Sequence, residues 1–258
     1  MPTAPNPDQI YERAKEEGRR RLGMSMQDLV ATGFIAGFTI VFGVVGLGVV
    51  EALVEPTAGP GIARVAGALA FAIGLVFLVV GRSELFTENF FDPVAAAVDE
   101  PGSEVWFRVA RLWIVILVLN MVGAAVLAAV FTVEGALPDG APDALSKVAE
   151  EIAGKTAAAT FARALAAGAL ITLLSYLLQA TDSVRGRMTV AYMVGFFVAL
   201  GPFDHVVVSA THLLLGVWFG AGVGYVDVGS NMAISAAGNL VGGLVFVTLT
   251  HAAQAKGA

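Results

Sequence analysis

Two short polar segments, each surrounded by apolar sequence, carry the side chains best suited to chemistry. They are Leu85-Phe86-Thr87-Glu88-Asn89 and Gly201-Pro202-Phe203-Asp204-His205. His205 can be protonated near neutral pH, so it could compensate for the desolvation of an anion. Thr87 could donate a hydrogen bond to a ligand or to His205. The structural alternatives are that His205 stays neutral and caps the next helix, and that Thr87 caps a short helix beginning at Phe90.

Carboxylates and amides near these segments are expected mainly to support them. A charge buried in a membrane is costly and is usually paired. Glu84, Glu88 and Asp204 are therefore expected to bond to the loop backbone or to a cation such as Arg82, with proton relay as the alternative. Amide side chains can satisfy backbone groups that an interrupted helix leaves free. The predicted supporting residues are Glu88, Asn89, Asn120, Asp204 and Asn239.

The composition indicates that these segments lie within a membrane protein. Of 258 residues, 57% are hydrophobic and only 14% are charged, against about 25% charged in an ordinary globular domain. The mean hydropathy is +0.79. Because there is no cysteine, thiolate nucleophiles and cysteine-bound metals are excluded, and we expect no metal, no cofactor and no enzyme activity. The net charge of -6 without a basic stripe argues against nucleic acid as a partner.

Apolar runs predict an all-α integral membrane protein with six transmembrane helices, of which the second and fifth are broken. Residues 1–28 form a polar, amphipathic N-terminal segment, 29–252 the six-span transmembrane domain and 253–258 a tail. With the N-terminus inside, ten of the fifteen Lys and Arg residues lie on the cytoplasmic side, three outside and two within spans. This bias predicts a multi-pass plasma (inner) membrane protein with both termini cytoplasmic. The predicted runs are 29–50, 62–80 with 90–98, 108–133, 155–180, 188–200 with 206–219, and 230–250.

The two halves of the chain share a pattern. Asn120-Met-Val-Gly123 in the third span is echoed by Asn239-Leu-Val-Gly242 in the sixth. Thr87 lies 33 positions before Asn120, and His205 lies 34 positions before Asn239. Three spans per half place the halves in opposite orientations, and paired broken helices in such an inverted repeat indicate the substrate site. Helix N-termini directed at that site favour an anion.

Three motifs in order resemble those of the formate/nitrite transporter family, in a divergent, YfdC-like branch. They are Glu84-Leu-Phe-Thr87, Phe203-Asp204-His205 and Gly238-Asn-Leu-Val-Gly-Gly243, and the resemblance covers roughly residues 25–252. It implies an aquaporin-like protomer with its own pore in a homopentamer. It also implies transport of small monovalent anions such as formate or nitrite across the lipid bilayer, often together with a proton.

The resemblance also implies roles for individual residues. His205 would be the central pore histidine, with Thr87 facing it. A proton from His205 could convert the anion to a neutral acid, which crosses an apolar constriction far more cheaply than an ion. Apart from the resemblance, Lys155 stands at the outer end of the fourth span, where it could attract anions to the vestibule or else extend to the membrane interface. The constriction and pore lining would be formed by Leu85, Phe86, Phe71, Leu75 and Phe197.

Departures from the family pattern leave the substrate open. Gly168 stands where many members have an asparagine that bonds the histidine, Glu88 follows the threonine in place of a small residue, and Arg82 adds a cation. His212, two helical turns after His205, could act as a second pore histidine or simply pack. The alternatives to an anion channel are a pore for water, ammonia or hydrogen sulfide, and a family member that transports nothing.

Overall fold

A computed structural model describes residues 4–100 and 102–257, and all regular secondary structure in these ranges is helical. This confirms the predicted all-α class. A 3-10 turn at Phe86–Phe90 precedes α3, and a π-helical turn at Leu244–Thr248 precedes α10. The helices are α1 (Pro7–Leu22), α2 (Met26–Val80), α3 (Asp92–Asp99), α4 (Ser103–Phe131), α5 (Ala141–Ala153), α6 (Ala157–Gln179), α7 (Val184–Leu200), α8 (Val206–Phe219), α9 (Tyr225–Gly243) and α10 (Leu249–Lys256).

The N-terminal helix α1 is defined by its own sequence. Asn6 accepts a hydrogen bond from the backbone N–H of Gln9, whose side chain accepts one from the Asn6 backbone, and this capping box starts the helix at Pro7. Ile10 and Tyr11 are buried. The apolar face of α1 packs against α3 and α10, so the polar N-terminal segment is docked on the helical core.

The longest helix, α2, is a hairpin of two arms. Its 55 residues would span about 80 Å at 1.5 Å per residue, far more than the roughly 30 Å of a bilayer core. The chain reverses at Gly59, which has a φ of 80° and so adopts a conformation open mainly to glycine. A Cβ on Gly43 would lie 2.6 Å from the carbonyl oxygen of Phe71, and a Cβ on Gly67 would lie 2.7 Å from Cγ of Glu51. The two arms therefore pack closely and antiparallel.

Four helical stretches in the described part of the chain are long and apolar enough to cross a membrane. They are Met26–Val80, Ser103–Phe131, Ala157–Gln179 and Tyr225–Lys256, while Val206–Phe219 is a shorter apolar helix. Helical structure stops at Val80 and resumes as α-helix at Asp92, and it stops at Leu200 and resumes at Val206. These two gaps coincide with the two polar segments.

Two close helix crossings hold the halves of the chain in matching arrangements. A Cβ on Gly37 would lie 1.8 Å from the carbonyl oxygen of Asn120, and a Cβ on Gly168 would lie 2.1 Å from that of Asn239. Each asparagine backbone thus lies directly against a glycine of the neighbouring helix. The first arm of α2 packs on α4 in the same way as α6 packs on α9.

Helix α5 lies in the connection between the predicted runs 108–133 and 155–180. Its residues Ala144, Leu145, Ala149 and Ile152 are buried and recur at helical spacing. They face α8 and the first arm of α2, where Leu145 fits against Gly48. Amphipathic spacing was the available signal for this helix.

Candidate functional site

A buried hydrogen bond between the two polar segments lies at the centre of the molecule. Oγ1 of Thr87 is 2.6 Å from Nε2 of His205, and both side chains are almost fully buried. Nδ1 of His205 accepts the backbone N–H of Val208 at 3.4 Å, so in the neutral imidazole the proton lies on Nε2. Nε2–H then donates to Thr87, whose hydroxyl proton remains free to donate to a ligand. His205 is therefore both a helix cap and a partner of Thr87.

Asn120 fixes the first polar segment. Its Oδ1 accepts the backbone N–H of Phe86 at 2.9 Å, and its Nδ2 donates to the carbonyl oxygens of Glu84 at 3.0 Å and Gly33 at 2.9 Å. Asn120 is fully buried. The Asn120 amide thus binds the backbone on both sides of Leu85, at the carbonyl oxygen of Glu84 and the N–H of Phe86.

Asn239 makes the same three bonds in the second half. Its Oδ1 accepts the backbone N–H of Val206 at 2.9 Å, and its Nδ2 donates to the carbonyl oxygens of Asp204 at 3.0 Å and Ala164 at 2.8 Å. It is also fully buried. The two asparagines are therefore equivalent clamps on two equivalent loops.

This equivalence changes the register of the internal repeat. Phe86 and Val206 occupy the same place relative to their asparagine clamps. Leu85 is thus the counterpart of His205 in the repeat. The sequence spacing aligned Thr87 with His205, and that alignment is two residues out of register. The hydrogen-bonded pair of Thr87 and His205 therefore forms between positions that are not equivalent in the repeat.

Most of the predicted apolar pore residues lie in one buried cluster. Phe71, Leu75, Leu85 and Phe86 are all at least 94% buried and belong to the same hydrophobic cluster. Phe197 is not part of it, because its side chain is 51% exposed. The physical reason is the rotation of α7, whose inward-facing residues are Val194, Gly195 and Val198. A Cβ on Gly195 would lie 2.9 Å from Cα of Ala72.

Two cavities approach the Thr87–His205 pair from opposite ends of the same helices. One, named here the α5 cavity, has a volume of about 370 Å³ and is lined by residues of α5 together with Phe71, Val198 and His212. The other, the α1 cavity, has a volume of about 310 Å³ and is lined by residues of α1 together with Val79. Phe71 and Val79 are eight residues apart, or about 12 Å along the helix. The buried cluster separates the cavities.

Comparison with known proteins identifies the architecture. A family model described as formate/nitrite transporter matches residues 8–253. The chain belongs to the formate/nitrite transporter family. The predicted resemblance is thereby confirmed. Because the family is one of transporters, the prediction that the chain is not an enzyme is confirmed as well.

Several individual relatives cover nearly the whole chain. The inner membrane protein YfdC of Escherichia coli is 24% identical over 245 residues, which are 94% of this chain and 77% of that protein. A probable formate transporter of Methanothermobacter thermautotrophicus is 29% identical over 241 residues, covering 86% of this chain and 87% of its own. The formate channel BtFdhC of Bacillus thuringiensis is 27% identical over 250 residues, covering 95% and 93%.

Solved structures share the fold. A structure described as an FNT family ion channel superposes with a TM-score of 0.77 at 19% identity, covering 95% of this chain and 97% of its own. A pentameric formate channel with formate bound superposes with a TM-score of 0.70 at 21% identity, covering 92% and 97%.

Within this formate/nitrite transporter fold, Arg21 of α1 supports the first polar segment. Its Nη1 donates to the carbonyl oxygen of Glu88 and to Oδ1 of Asn89, each at 3.2 Å. Its Nε lies 3.3 Å from Glu84, and its Nη2 lies 3.5 Å from Asp92. Arg21 was not among the predicted site residues, because nothing in the local sequence indicates that α1 packs under the loop.

The predicted supports Glu88 and Asn89 act mainly through their backbone and amide groups. Asn89 Nδ2 donates to the carbonyl oxygen of Leu85 at 2.9 Å. The carbonyl oxygen of Glu88 also accepts the hydroxyl of Ser175 at 2.8 Å. The carboxylate atom Oε1 of Glu88 is buried without a hydrogen-bond partner. The loop is therefore held by backbone contacts on both sides of Glu88.

Glu84 pairs with Arg20 at 2.8 Å and with Arg21, and not with Arg82. Arg82 lies exposed just after α2, with a φ of 54°, and it lines the α1 cavity. Arg20 and Arg21 also hold Glu17. Burial acts to raise the pKa of Glu17, but hydrogen bonds and the positive charges of the two arginines outweigh it and lower that pKa to about 2.

Asp204 and Lys155 form an ion pair at the floor of the α5 cavity. Nζ of Lys155 is 2.5 Å from Oδ1 of Asp204, and Nε of Arg163 is 3.3 Å from Oδ2. Asp204 is almost fully buried. Lys155 thus lines the α5 cavity, and its charge is already paired.

Gly168 has no room for a side chain because it lies against the backbone of Asn239. The bond to His205 that the resemblance implied for an asparagine at this position therefore has no counterpart here. Thr87 is the side chain that bonds to Nε2 of His205 instead. Among the described residues, no three His, Asp or Glu side chains are grouped to hold a metal ion.

Proposed function

We propose that the protein is a channel for small monovalent anions such as formate or nitrite. The observation that carries this proposal is the hydrogen-bonded pair of Thr87 and His205, buried between two cavities and bordered by apolar side chains. Family membership supports it, as do relatives described as formate channels. The chemistry of such a site suits a solute with one charge that can be neutralised in passing.

The proposed mechanism uses His205 as a proton carrier. An anion that enters the apolar cluster loses water, which costs several kcal/mol unless the charge is compensated. The free hydroxyl proton of Thr87 bonds to an oxygen of the anion. Protonated His205 transfers its proton to the anion and becomes neutral imidazole, and the anion becomes the neutral acid. The neutral acid then passes Leu85 and Phe86, and His205 regains a proton from a cavity.

We further infer six membrane crossings. The arms of α2 supply the first and part of the second, which α3 completes. Helices α4 and α6 supply the third and fourth, α7 with α8 the fifth, and α9 with α10 the sixth. By the positive-inside rule, the arginines of α1 favour a cytoplasmic location for the α1 cavity and both termini. The relation to an inner membrane protein supports location in that membrane.

A homopentamer with one pore in each protomer fits the exposed apolar surface. Phe42, Phe77 and Ile114 are among the large hydrophobic side chains that are 44–64% exposed in the single chain. Such side chains face lipid or neighbouring protomers in a membrane. The similar formate channel is a pentamer.

Solute flux through the purified protein in liposomes tests the proposal. We expect formate and nitrite to pass and glycerol to be excluded. Swelling of the liposomes in ammonia or glycerol, without any anion flux, would favour a pore for neutral solutes. Absence of flux for every solute from a well-folded protein would favour a family member that does not transport.

A further inference from the structure

The sixth span changes its helical register at the π-helical turn Leu244–Thr248. The buried residues around this turn come in neighbouring pairs, which are Gly238–Asn239, Gly242–Gly243 and Val247–Thr248. The first step between pairs is four residues, as in an α-helix, and the second step is five. Phe246, which a continued four-residue repeat would bury, is 58% exposed. The turn therefore contains one extra residue.

The extra residue rotates Thr248 towards the protein interior. Each residue of an α-helix rotates by about 100°, so an uninterrupted helix would place Thr248 about 180° away from Asn239, which lies nine residues before it. With one residue inserted by the π-helical turn, only about 80° separates the two side chains. Thr248 is accordingly only 1% exposed, whereas the next residue, Leu249, is 53% exposed. The π-helical turn thus returns Thr248 to the buried side of the helix.

In this position Thr248 donates a hydrogen bond to the end of the 3-10 turn Phe86–Phe90. Its Oγ1 lies 2.8 Å from the carbonyl oxygen of Phe90 and 3.2 Å from that of Gly243 in its own helix. The Phe90 ring lies directly on the backbone of Gly243, since a Cβ on that glycine would be 2.7 Å from Cδ2 of Phe90. Both the backbone and the ring of Phe90 are therefore attached to the sixth span.

Phe90 in turn fixes the ring of Phe86, a predicted constriction residue. The Phe90 ring lies edge-on to Phe86, with 4.9 Å between ring centroids, and edge-on to Trp113 at 5.5 Å. Nε1 of Trp113 also donates to the carbonyl oxygen of Asn89 at 2.8 Å. Edge-to-face pairs are stable only over a narrow range of ring positions. A shift of Phe90 would therefore shift Phe86, which belongs to the buried cluster between the two cavities.

The contact made by Thr248 is not repeated in the other half of the chain. The residues eight and nine positions after Asn120 are Ala128 and Ala129, which have no hydroxyl group. They lie in α4, which runs from Ser103 to Phe131 without a π-helical turn in the described part of the chain. The first polar segment thus has an attachment that the internal repeat does not require.

We propose that Thr248 is a positioning residue that sets the size of the solute able to pass the constriction at Phe86. It does so by holding Phe90, whose ring supports the Phe86 ring. The proposal rests on the proposed function, since it concerns the pore of the same channel. Without the hydrogen bond from Thr248, the 3-10 turn gains freedom to move, and bulkier acids pass more easily.

Fluxes of formate and of the bulkier lactate through the protein in liposomes test this role. Thr248→Val replaces the hydroxyl group with a methyl group of similar volume. We expect the ratio of lactate flux to formate flux to rise about three- to tenfold, the effect of losing one hydrogen bond. Thr248→Ser keeps the hydroxyl group and should stay near wild type.

Thr250→Val is the matched control. The hydroxyl group of Thr250 also bonds to carbonyl oxygens of its own helix, those of Phe246 and Val247, but it does not reach the 3-10 turn. The control should leave the flux ratio unchanged. An unchanged ratio in a folded Thr248→Val protein, or an equal fall in both fluxes, would overturn the proposal.

Tryptophan fluorescence tests the hold of Thr248 on the turn without measuring flux. The chain has three tryptophans, so Trp106→Phe with Trp218→Phe leaves Trp113 as the only reporter. In this background we expect Thr248→Val to increase acrylamide quenching of Trp113, and Thr250→Val to leave it unchanged. Unchanged quenching in Thr248→Val would contradict the proposal. Increased quenching in a protein that passes no anion would refute the proposed function and still support the hold of Thr248 on the turn.

Discussion

Replacing Asn239 with alanine removes the clamp on the second polar segment. The change leaves the backbone N–H of Val206 without its acceptor and removes a donor from the carbonyl oxygens of Asp204 and Ala164. The site is fully buried, so water does not replace these bonds without opening the structure.

The magnitude follows from the three bonds. A buried donor left unpaired costs about 1–3 kcal/mol. The carbonyl of Ala164 lies in a helix, so the larger acceptor loss is at Asp204 in the loop. Together these terms give a destabilisation of about 2–5 kcal/mol, which corresponds to a fall in melting temperature on the order of 5–15 °C for a chain of this size. Asn120→Ala should cost the same, because Asn120 makes the equivalent three bonds.

The assay is thermal unfolding of the purified protein in detergent, followed by size-exclusion chromatography of heated samples. Asn231→Ala is the matched control. Asn231 is also a buried asparagine of α9, but its side chain takes part in one long bond, accepting from Ser235 at 3.3 Å. We expect that control to lower the melting temperature by less than about 4 °C. If Asn231→Ala proved as damaging as Asn239→Ala, the clamp interpretation would be refuted.

Three further results are expected. Thr87→Val should reduce formate flux about tenfold by removing one hydrogen bond, whereas Thr87→Ser should keep it; equal fluxes would show that the bond to His205 is not used. The pKa of Glu17 is lowered from 4.5 to about 2. Ionised Glu17 therefore stabilises the docking of α1 fully above pH 4.5, and this stabilisation is lost as the pH falls towards 2. The rate of amide hydrogen exchange in α1, corrected for intrinsic rates, should be constant from pH 5 to 8 and rise only in acid. Gly168→Ala should prevent assembly of the protein, because the new Cβ would lie 2.1 Å from the carbonyl oxygen of Asn239. Gly229→Ala should assemble normally, since nothing lies within 4 Å of a Cβ at that position. Assembly of both variants would contradict the close crossing of α6 and α9.

The site residues that the sequence predicted are polar side chains surrounded by apolar sequence. Thr87, His205, Asn120 and Asn239 stand out because a membrane environment leaves few reasons for polar side chains. Their buried contacts in the structure agree with that reasoning. The asparagines were predicted to bond to the loop backbone, because the free N–H and C=O groups at a break in a membrane helix need hydrogen-bond partners close by.

Other features depend on tertiary packing that no local pattern encodes. Arg21 reaches the first loop only because α1 docks beneath it, and a triple arginine before an apolar run has a sufficient explanation in membrane orientation. The outward direction of Phe197 depends on the rotation of α7, which the contact between Gly195 and α2 determines. The register that pairs Leu85 with His205 requires the hydrogen bonds themselves, because sequence spacing alone aligned Thr87 with His205, two residues out of register.

The most direct test of the central claim is formate flux through wild-type protein and His205→Ala in liposomes at pH 5.5 and 7.5. His251→Ala serves as the histidine control. The account predicts that wild type and control pass formate faster at the lower pH, where more His205 can be protonated. It also predicts that His205→Ala loses most of the flux and its pH dependence. Unaltered flux and pH dependence in a folded His205→Ala protein would contradict the account.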